Sequence, residues 1–210
     1  MNRSVFNKAK INDSAVSPLI GVIMMLFLTL LFAGITFSVV YDDGFSSLNK
    51  APMAFIEVKS VEGGVPDNAR YIDNYIILLH RSGEPLQADA TQIIITGQGS
   101  AFTGTFFNGE KRYGDVFVNY ADISFSGKEN EYALENPAIS DGLWSAGERL
   151  ILNGGDGFTH NTSVFVRVNG FENTSNNYGL KEGGDVTIKV FDRNTHTIIA
   201  ECSHEVVPVA

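Results

Sequence analysis

An uninterrupted apolar run near the N-terminus constrains the fold more than any other feature of this chain. The run reads VSPLIGVIMMLFLTLLFAGITFSVV, covers residues 16–40 and contains no charged residue. As an α-helix it would extend over about 37 Å, enough to cross a bilayer with some tilt. Three basic residues precede it, and Asp42 and Asp43 follow it. This charge asymmetry predicts a cytoplasmic N-terminus and an exported C-terminal part.

The length of the run predicts that the helix stays in the mature protein. A secretory signal has an apolar region of roughly 7 to 15 residues, followed by a small-x-small cleavage site. The run in this chain is longer, and the sequence at its end, SVVYDDGF, offers no such site. We therefore expect residues 16–41 to remain as a hydrophobic helix.

This helix is expected to be apolar on every side rather than along one stripe. Such a helix must be buried all round, in lipid or among other helices. Pro18 lies in the expected first turn, where its fixed φ suits a helix and its missing N–H costs little. Gly21 and Gly34 are small enough to let a neighbouring helix approach closely. These three residues are the candidates for helix packing.

The start of the helix also carries a recognisable signature. Residues 13–24, DSAVSPLIGVIM, resemble the N-terminal signature of archaeal type IV pilins, with Ser14 where many such leaders carry a basic residue. Bacterial relatives place a glutamate at the fifth mature position, where this chain has Ile20. The resemblance implies that a membrane prepilin peptidase cuts between Ala15 and Val16 and removes a leader of residues 1–15.

The resemblance further implies a structural subunit of a surface filament. The helix would anchor the precursor in the cytoplasmic membrane and would then form the core of a helical homopolymer. A pilus assembly platform and its ATPase would drive this transfer, and the filament would serve adhesion or cell-surface contact. Two alternatives stay open: an archaellin-type motility filament subunit, and a monomeric membrane-anchored binding protein whose β domain captures a sugar or peptide outside the cell.

The chain after the helix is typical of a β domain. Residues 42–51 read as a polar linker, and residues 52–210 contain nine strand-like runs separated by glycine-rich turns. The runs are 53–60, 71–80, 91–96, 101–107, 115–121, 149–152, 163–169, 185–192 and 197–203. Short strands with regular turn signals predict an immunoglobulin-like β-sandwich head, with the last two runs forming a hairpin. The predicted fold class is therefore α+β.

Two segments of the β domain add to the resemblance. Residues 80–86, HRSGEPL, are similar to a turn common in archaeal pilin β domains, and residues 144–150, WSAGERL, are similar to the entry into one of their later strands. Trp144 stands at a strand edge, and we expect it to fill the core rather than to bind sugar.

Charge and residue types argue against several other functions. The formal net charge of −9 disfavours nucleic acid and anionic lipid head groups as partners. The only cysteine, Cys202, permits neither an intramolecular disulfide nor a thiolate metal cluster. We find no catalytic or nucleotide-binding motif and no zinc spacing among the four histidines. The segment NGGDG at 153–157 is expected to be a tight turn rather than a calcium site. We therefore expect no enzymatic activity, no cofactor and no metal.

Two glycosylation sequons lie in the exported part. They begin at Asn161 (NTS) and at Asn173 (NTS), in or beside expected loops. Both asparagines are candidate glycan acceptors on the outside of the cell.

Overall fold

The computed structural model describes residues 16–44, 50–64, 70–103, 109–157, 162–172 and 175–209. The chain divides into two compact units, Met1–Asn49 and Lys50–Ala210. The described part of the first unit is one helix, and the second unit is a β-sandwich. The predicted α+β class, a long hydrophobic helix followed by an immunoglobulin-like sandwich, is confirmed at the level of two sheets around one core.

Helix α1 spans Val16–Gly44. It begins at the first residue of the predicted mature chain and ends three residues beyond the predicted boundary at 41. Asp42 and Asp43 remain helical, and the described part of the helix extends to Gly44. No acidic residue lies in its first turn and no basic residue in its last, so its charges do not complement the helix dipole.

The second unit is built from short strands and few helical turns. Within its described residues the strands are β1 (Ala54–Gly63), β2 (Tyr75–Gly83), β3 (Leu86–Gln87), β4 (Thr91–Thr103), β5 (Glu110–Tyr120), β6 (Leu143–Trp144), β7 (Arg149–Asn153), β8 (Val164–Val168), β9 (Phe171–Glu172), β10 (Tyr178–Leu180), β11 (Asp185–Asp192), β12 (Thr197–Glu205) and β13 (Val207–Pro208). A short helix α2 covers Asn130–Glu135, and 3₁₀ turns cover Tyr71–Asp73 and Pro137–Asp141.

Two sheets form the sandwich. The first has the strand order β13-β1-β2-β7, and its only parallel pair is β1 with β13. The second has the order β12-β11-β4-β5-β8-β9. Strand β10 joins β4 at residues 99–101, beyond the stretch of β4 that pairs with β11. Strands β3 and β6 form a separate small pair.

One hydrophobic core lies between the sheets, and strand alternation supplies its side chains. The first sheet contributes Ile76 and Leu78 of β2 to this core. The second sheet contributes Val186, Ile188 and Val190 of β11. Successive side chains of a strand point to opposite faces, which explains the alternation of buried and exposed positions. Trp144 is fully buried in the same core, so the prediction that it fills the core is confirmed.

Two of the predicted strand boundaries are wrong for local reasons. The run 71–80 begins with a 3₁₀ turn, because the Asp73 carboxylate accepts a hydrogen bond from the Arg70 backbone N–H (2.7 Å) and closes the chain there. The run 91–96 and residues 101–103 of the run 101–107 belong to one strand, β4, and residues 104–107 lie outside the described residues. At Gly99, which lies between them, a Cβ would stand 1.9 Å from the carbonyl oxygen of Gly179. The glycine therefore allows close strand pairing rather than ending the strand.

The free edge of β7 is covered by one side chain. Asn136 is fully buried between α2 and the following 3₁₀ turn. Its Oδ1 accepts a hydrogen bond from the N–H of Ile151 (2.7 Å), and its Nδ2 donates to the carbonyl of the same residue (2.8 Å). The amide thus replaces a neighbouring strand, which protects an edge that would otherwise pair with another chain.

We expect Asn136→Ala to lower the free energy of unfolding by about 2–4 kcal/mol, because three hydrogen bonds of the side chain are lost, two with the Ile151 backbone and one with the Tyr132 carbonyl. The measurement is urea unfolding of the full chain in detergent, followed by the fluorescence of Trp144, the only tryptophan. Asn194→Ala, in the exposed turn between β11 and β12, is the control and should change stability by less than about 0.5 kcal/mol. Equal effects of the two substitutions would contradict the role of Asn136.

Candidate functional site

The surface of α1 is the first candidate site. The span Pro18–Ser38 has a mean hydropathy of 2.5, and none of it is buried. Its large apolar side chains are between 48% exposed (Leu31) and 70% exposed (Met25), with members on every side of the helix. The helix is long and apolar enough to span a membrane, as an anchor or a signal sequence does.

Two threonine hydroxyls of α1 form hydrogen bonds inside the helix. The Thr29 hydroxyl donates to the carbonyl of Leu26 (2.9 Å), and the Thr36 hydroxyl lies 2.8 Å from the carbonyl of Phe32. In an apolar medium an unpaired polar group costs several kcal/mol. Because these hydroxyls bond to the preceding turn, they need neither water nor a partner helix.

The candidate packing residues Gly21 and Gly34 leave room for a neighbouring helix on two different sides of α1. Apart from the neighbouring backbone of the helix itself, no atom of the described residues lies within 4 Å of the position that a Cβ would take at Gly21 or at Gly34. At about 100° per residue, the 13 positions between them place the two glycines about 140° apart around the axis. Gly34 lies in a shallow groove between Phe27 and Ile35. Pro18 lies in the first turn, as predicted. Close neighbours are therefore sterically possible on more than one side of the helix.

The candidate modification sites lie mostly outside the described residues. Ala15, Asn161 and Asn173 are not among those residues, and of the cleavage pair only Val16 is, as the first residue of α1. Cleavage between Ala15 and Val16 and glycosylation of the two asparagines therefore stay predictions.

The segments 80–86 and 144–150 of the β domain meet in space. Nδ1 of the buried His80 donates to the carbonyl of Trp144 (3.0 Å), and the N–H of Gly147 donates to the carbonyl of His80 (2.6 Å). The Trp144 indole N–H in turn donates to the carbonyl of Glu148 (3.2 Å). The sequence shows two separate motifs, and the structure joins them into one buried contact between β2 and the turn before β7. In this arrangement the two segments stabilise the packing of the core.

The segment 153–157 forms a tight turn, as predicted, but its aspartate faces inward. Asp156 is only 2% exposed, and its Oδ2 accepts hydrogen bonds from the Tyr120 hydroxyl (2.8 Å) and the Asn153 N–H (2.7 Å). The Tyr178 hydroxyl lies 2.9 Å from that of Tyr120. Burial raises the pKa of Asp156 to about 7. We name Tyr120, Asn153, Asp156 and Tyr178 the Asp156 cluster.

Sequence reasoning missed this cluster, because its members lie on three segments that are far apart in the chain. The one available signal was an aspartate between glycines directly after a strand, which is also the pattern of an ordinary turn. A cavity of about 370 Å³ borders the cluster and is lined by Tyr75, Glu129, Glu131 and Glu135, among others. Among the described residues, no group of three or more His, Cys, Asp or Glu side chains is arranged to hold a metal ion.

Comparisons with known proteins add no assignment. No protein-family model matches the sequence, and a search of curated proteins gives no significant match. Any functional conclusion therefore depends on the leader, the helix and the domain that follows it.

We expect Leu28→Asp to weaken membrane insertion, because a carboxylate at the centre of the span Pro18–Ser38 costs about 3 kcal/mol. The measurement is the fraction of the protein that remains in membranes after an alkaline carbonate wash. Ser38→Asp is the matched control, because a charge at the end of the span reaches the interface and costs much less. Equal retention of the two variants would show that α1 does not lie across a membrane.

Proposed function

We propose that this protein is the structural subunit of an archaeal type IV pilus-like surface filament and that it polymerises through its N-terminal helix. The observation that carries the proposal is a helix with exposed apolar side chains on every side, small residues on two sides, and the pilin-like sequence SAVSPLIGV at its start. The filament would serve adhesion or contact between cells and surfaces.

The properties of α1 favour a polymer over a simple anchor. A single-pass anchor needs apolar length, but it has no need for close-approach positions on two sides. A helix in a filament core has neighbours all round, and Gly21 and Gly34, about 140° apart, allow such neighbours to approach. The hydroxyls of Thr29 and Thr36 are satisfied internally, so α1 can leave lipid and enter a helix bundle without exposing polar groups.

The mechanism we propose is assembly in three steps. A prepilin peptidase in the cytoplasmic membrane removes residues 1–15 and leaves Val16 as the new N-terminus. An assembly platform with its ATPase then transfers α1 from the membrane into the filament. Contacts of this head-to-tail kind do not close on themselves and therefore propagate as a fibre.

The β-sandwich would form the exterior of the filament. Its acidic composition suits a surface in contact with water, and we propose Asn161 and Asn173 as sites of attached glycans. The domain has no disulfide available, because Cys202 is the only cysteine, so its durability outside the cell depends on the core and its buried hydrogen bonds.

The decisive experiment is intact mass and N-terminal sequencing of material sheared from the cells that make this protein. We expect fibres whose subunits begin at Val16. Full-length chains that begin at Met1 and stay in the membrane fraction would overturn the proposal and favour a membrane-anchored binding protein. Fibres that rotate under the microscope would instead indicate an archaellin-type motility filament.

A second prediction concerns the helix contacts. We expect Gly34→Leu to reduce the yield of fibres about tenfold or more, because overpacking a close contact costs about 1–3 kcal/mol and the contact recurs in every subunit. The readouts are the fibre count by negative-stain electron microscopy and the amount of subunit in membranes by immunoblot. Leu31→Met, in the same groove and of similar volume, is the control and should assemble normally. A normal fibre count for Gly34→Leu would remove this glycine from the contact.

A further inference from the structure

The Asp156 cluster connects the two sheets of the head. Asp156 follows β7 of the first sheet, whereas Tyr120 ends β5 and Tyr178 begins β10, both in the second sheet. The hydroxyls of Tyr178 and Tyr120 and the Oδ2 of Asp156 form one hydrogen-bonded row, with steps of 2.9 and 2.8 Å. The Tyr120 hydroxyl also lies 3.1 Å from the carbonyl of Asn153. These contacts hold the turn 153–157 of one sheet against the other.

The two oxygens of the Asp156 carboxyl have different surroundings. Oδ2 receives both hydrogen bonds to the carboxyl. Asp156 also borders the cavity that Glu129, Glu131 and Glu135 line. An added proton therefore has its place on Oδ1, because Oδ2 is already occupied by two donors.

Burial disfavours the ionised form of Asp156 and raises its pKa, whereas the hydrogen bonds from the Asn153 N–H and the Tyr120 hydroxyl lower the pKa and offset burial only in part. From α2, Glu135 repels a carboxylate here, and the ring of Tyr132 is nearby but neutral. From the segment before α2, Lys128 attracts it, but the ammonium is bound elsewhere, to the carbonyl of Ser124 (2.6 Å) and the hydroxyl of Ser163 (2.8 Å). Glu129 contacts Asp156 through its backbone N–H, which donates to the Asp156 carbonyl (3.0 Å).

We propose that Asp156 is a proton-controlled connection between the two sheets: the neutral carboxyl is stable in its buried position, whereas loss of the proton leaves a buried negative charge there and loosens the turn 153–157. The cavity is the route by which the proton and water reach the carboxyl. The inference concerns the head alone and does not depend on assembly of a filament.

The direction of the pH effect follows from burial. Burial raises the pKa of Asp156 from 3.8 to about 7, so the folded state holds this proton more tightly than the unfolded state does. The group therefore contributes most to stability at low pH, and the contribution is lost as the pH rises from about 4 to about 7. Glu57 and Asp73 act in the opposite direction, since ion pairs with arginine lower the pKa of each carboxyl.

The test compares the full-length protein with its Asp156→Asn variant in detergent micelles. Asparagine keeps an acceptor oxygen for Tyr120 but cannot ionise. Urea unfolding is followed by Trp144 fluorescence at pH 5 and pH 8. Relative to Asp156→Asn, the unfolding equilibrium constant of the natural protein should rise roughly a hundredfold between these two values. Identical pH dependence of the two proteins would overturn the proposal.

Two further measurements remain decisive if Asp156→Asn does not fold. Carbon NMR of the Asp156 carboxyl in the natural protein should give a titration midpoint near 7, whereas a midpoint near 4 would overturn the proposal. Glu135→Gln should move that midpoint to lower pH because it removes a repelling charge, and Glu131→Gln, an exposed neighbour on α2, should leave it unchanged.

Amide hydrogen exchange at Gly155 and Gly157 should accelerate above neutral pH beyond the intrinsic rate, and unchanged protection would contradict loosening of the turn.

Discussion

Buried hydrogen bonds between side chains and distant backbone are the interactions on which the head domain depends. With one cysteine in the chain, no disulfide can join its sheets. Asn74 instead accepts a bond from the N–H of Leu180 (2.8 Å) and donates to the carbonyl of Arg70 (2.9 Å), so it fastens the start of β2 to β10. Asn136 and the Asp156 cluster do the same at the β7 edge and at the ends of the strands. Each such group is buried and would be costly to leave unpaired, which makes these contacts specific as well as stabilising.

The helix α1 needs apolar surroundings, whereas the head domain needs water. The span Pro18–Ser38 of α1 is apolar on every side, and the hydroxyls of Thr29 and Thr36 bond to carbonyls of the same helix, so these two hydroxyls need no water. The two parts of the chain are therefore suited to different surroundings, lipid or other helices for α1 and water for the acidic sandwich. A filament with a helical core and an exterior of β domains provides both surroundings at once, as a membrane anchor also does, so our proposal of a filament depends on the small residues Gly21 and Gly34 on two sides of α1.

Several elements were predictable because their signal is local. The apolar run 16–40 predicts α1 by composition alone, and alternation predicts the inward residues of β11 and β12 and their hairpin. Other elements have no local signal. Strands β3 and β10 are two or three residues long and exist because a partner strand lies beside them, and α2 covers the edge of β7 through Asn136. Gly97 and Gly99 look like strand ends, yet they lie inside β4, where they admit close neighbours.

The sequence by itself determined that residues 16–40 form a helix that needs apolar surroundings on all sides, because hydrophobicity is a property of residues and does not depend on the tertiary arrangement. It also determined that a disulfide-free β domain follows. Only the tertiary structure decided the chemistry of Asp156. An aspartate between glycines is ordinarily solvated, whereas folding buries Asp156 and removes its water, which raises the pKa of its carboxyl to about 7. The apolar helix is thus specified by residue type alone. The buried carboxyl, in contrast, requires neighbours that only the folded structure brings together.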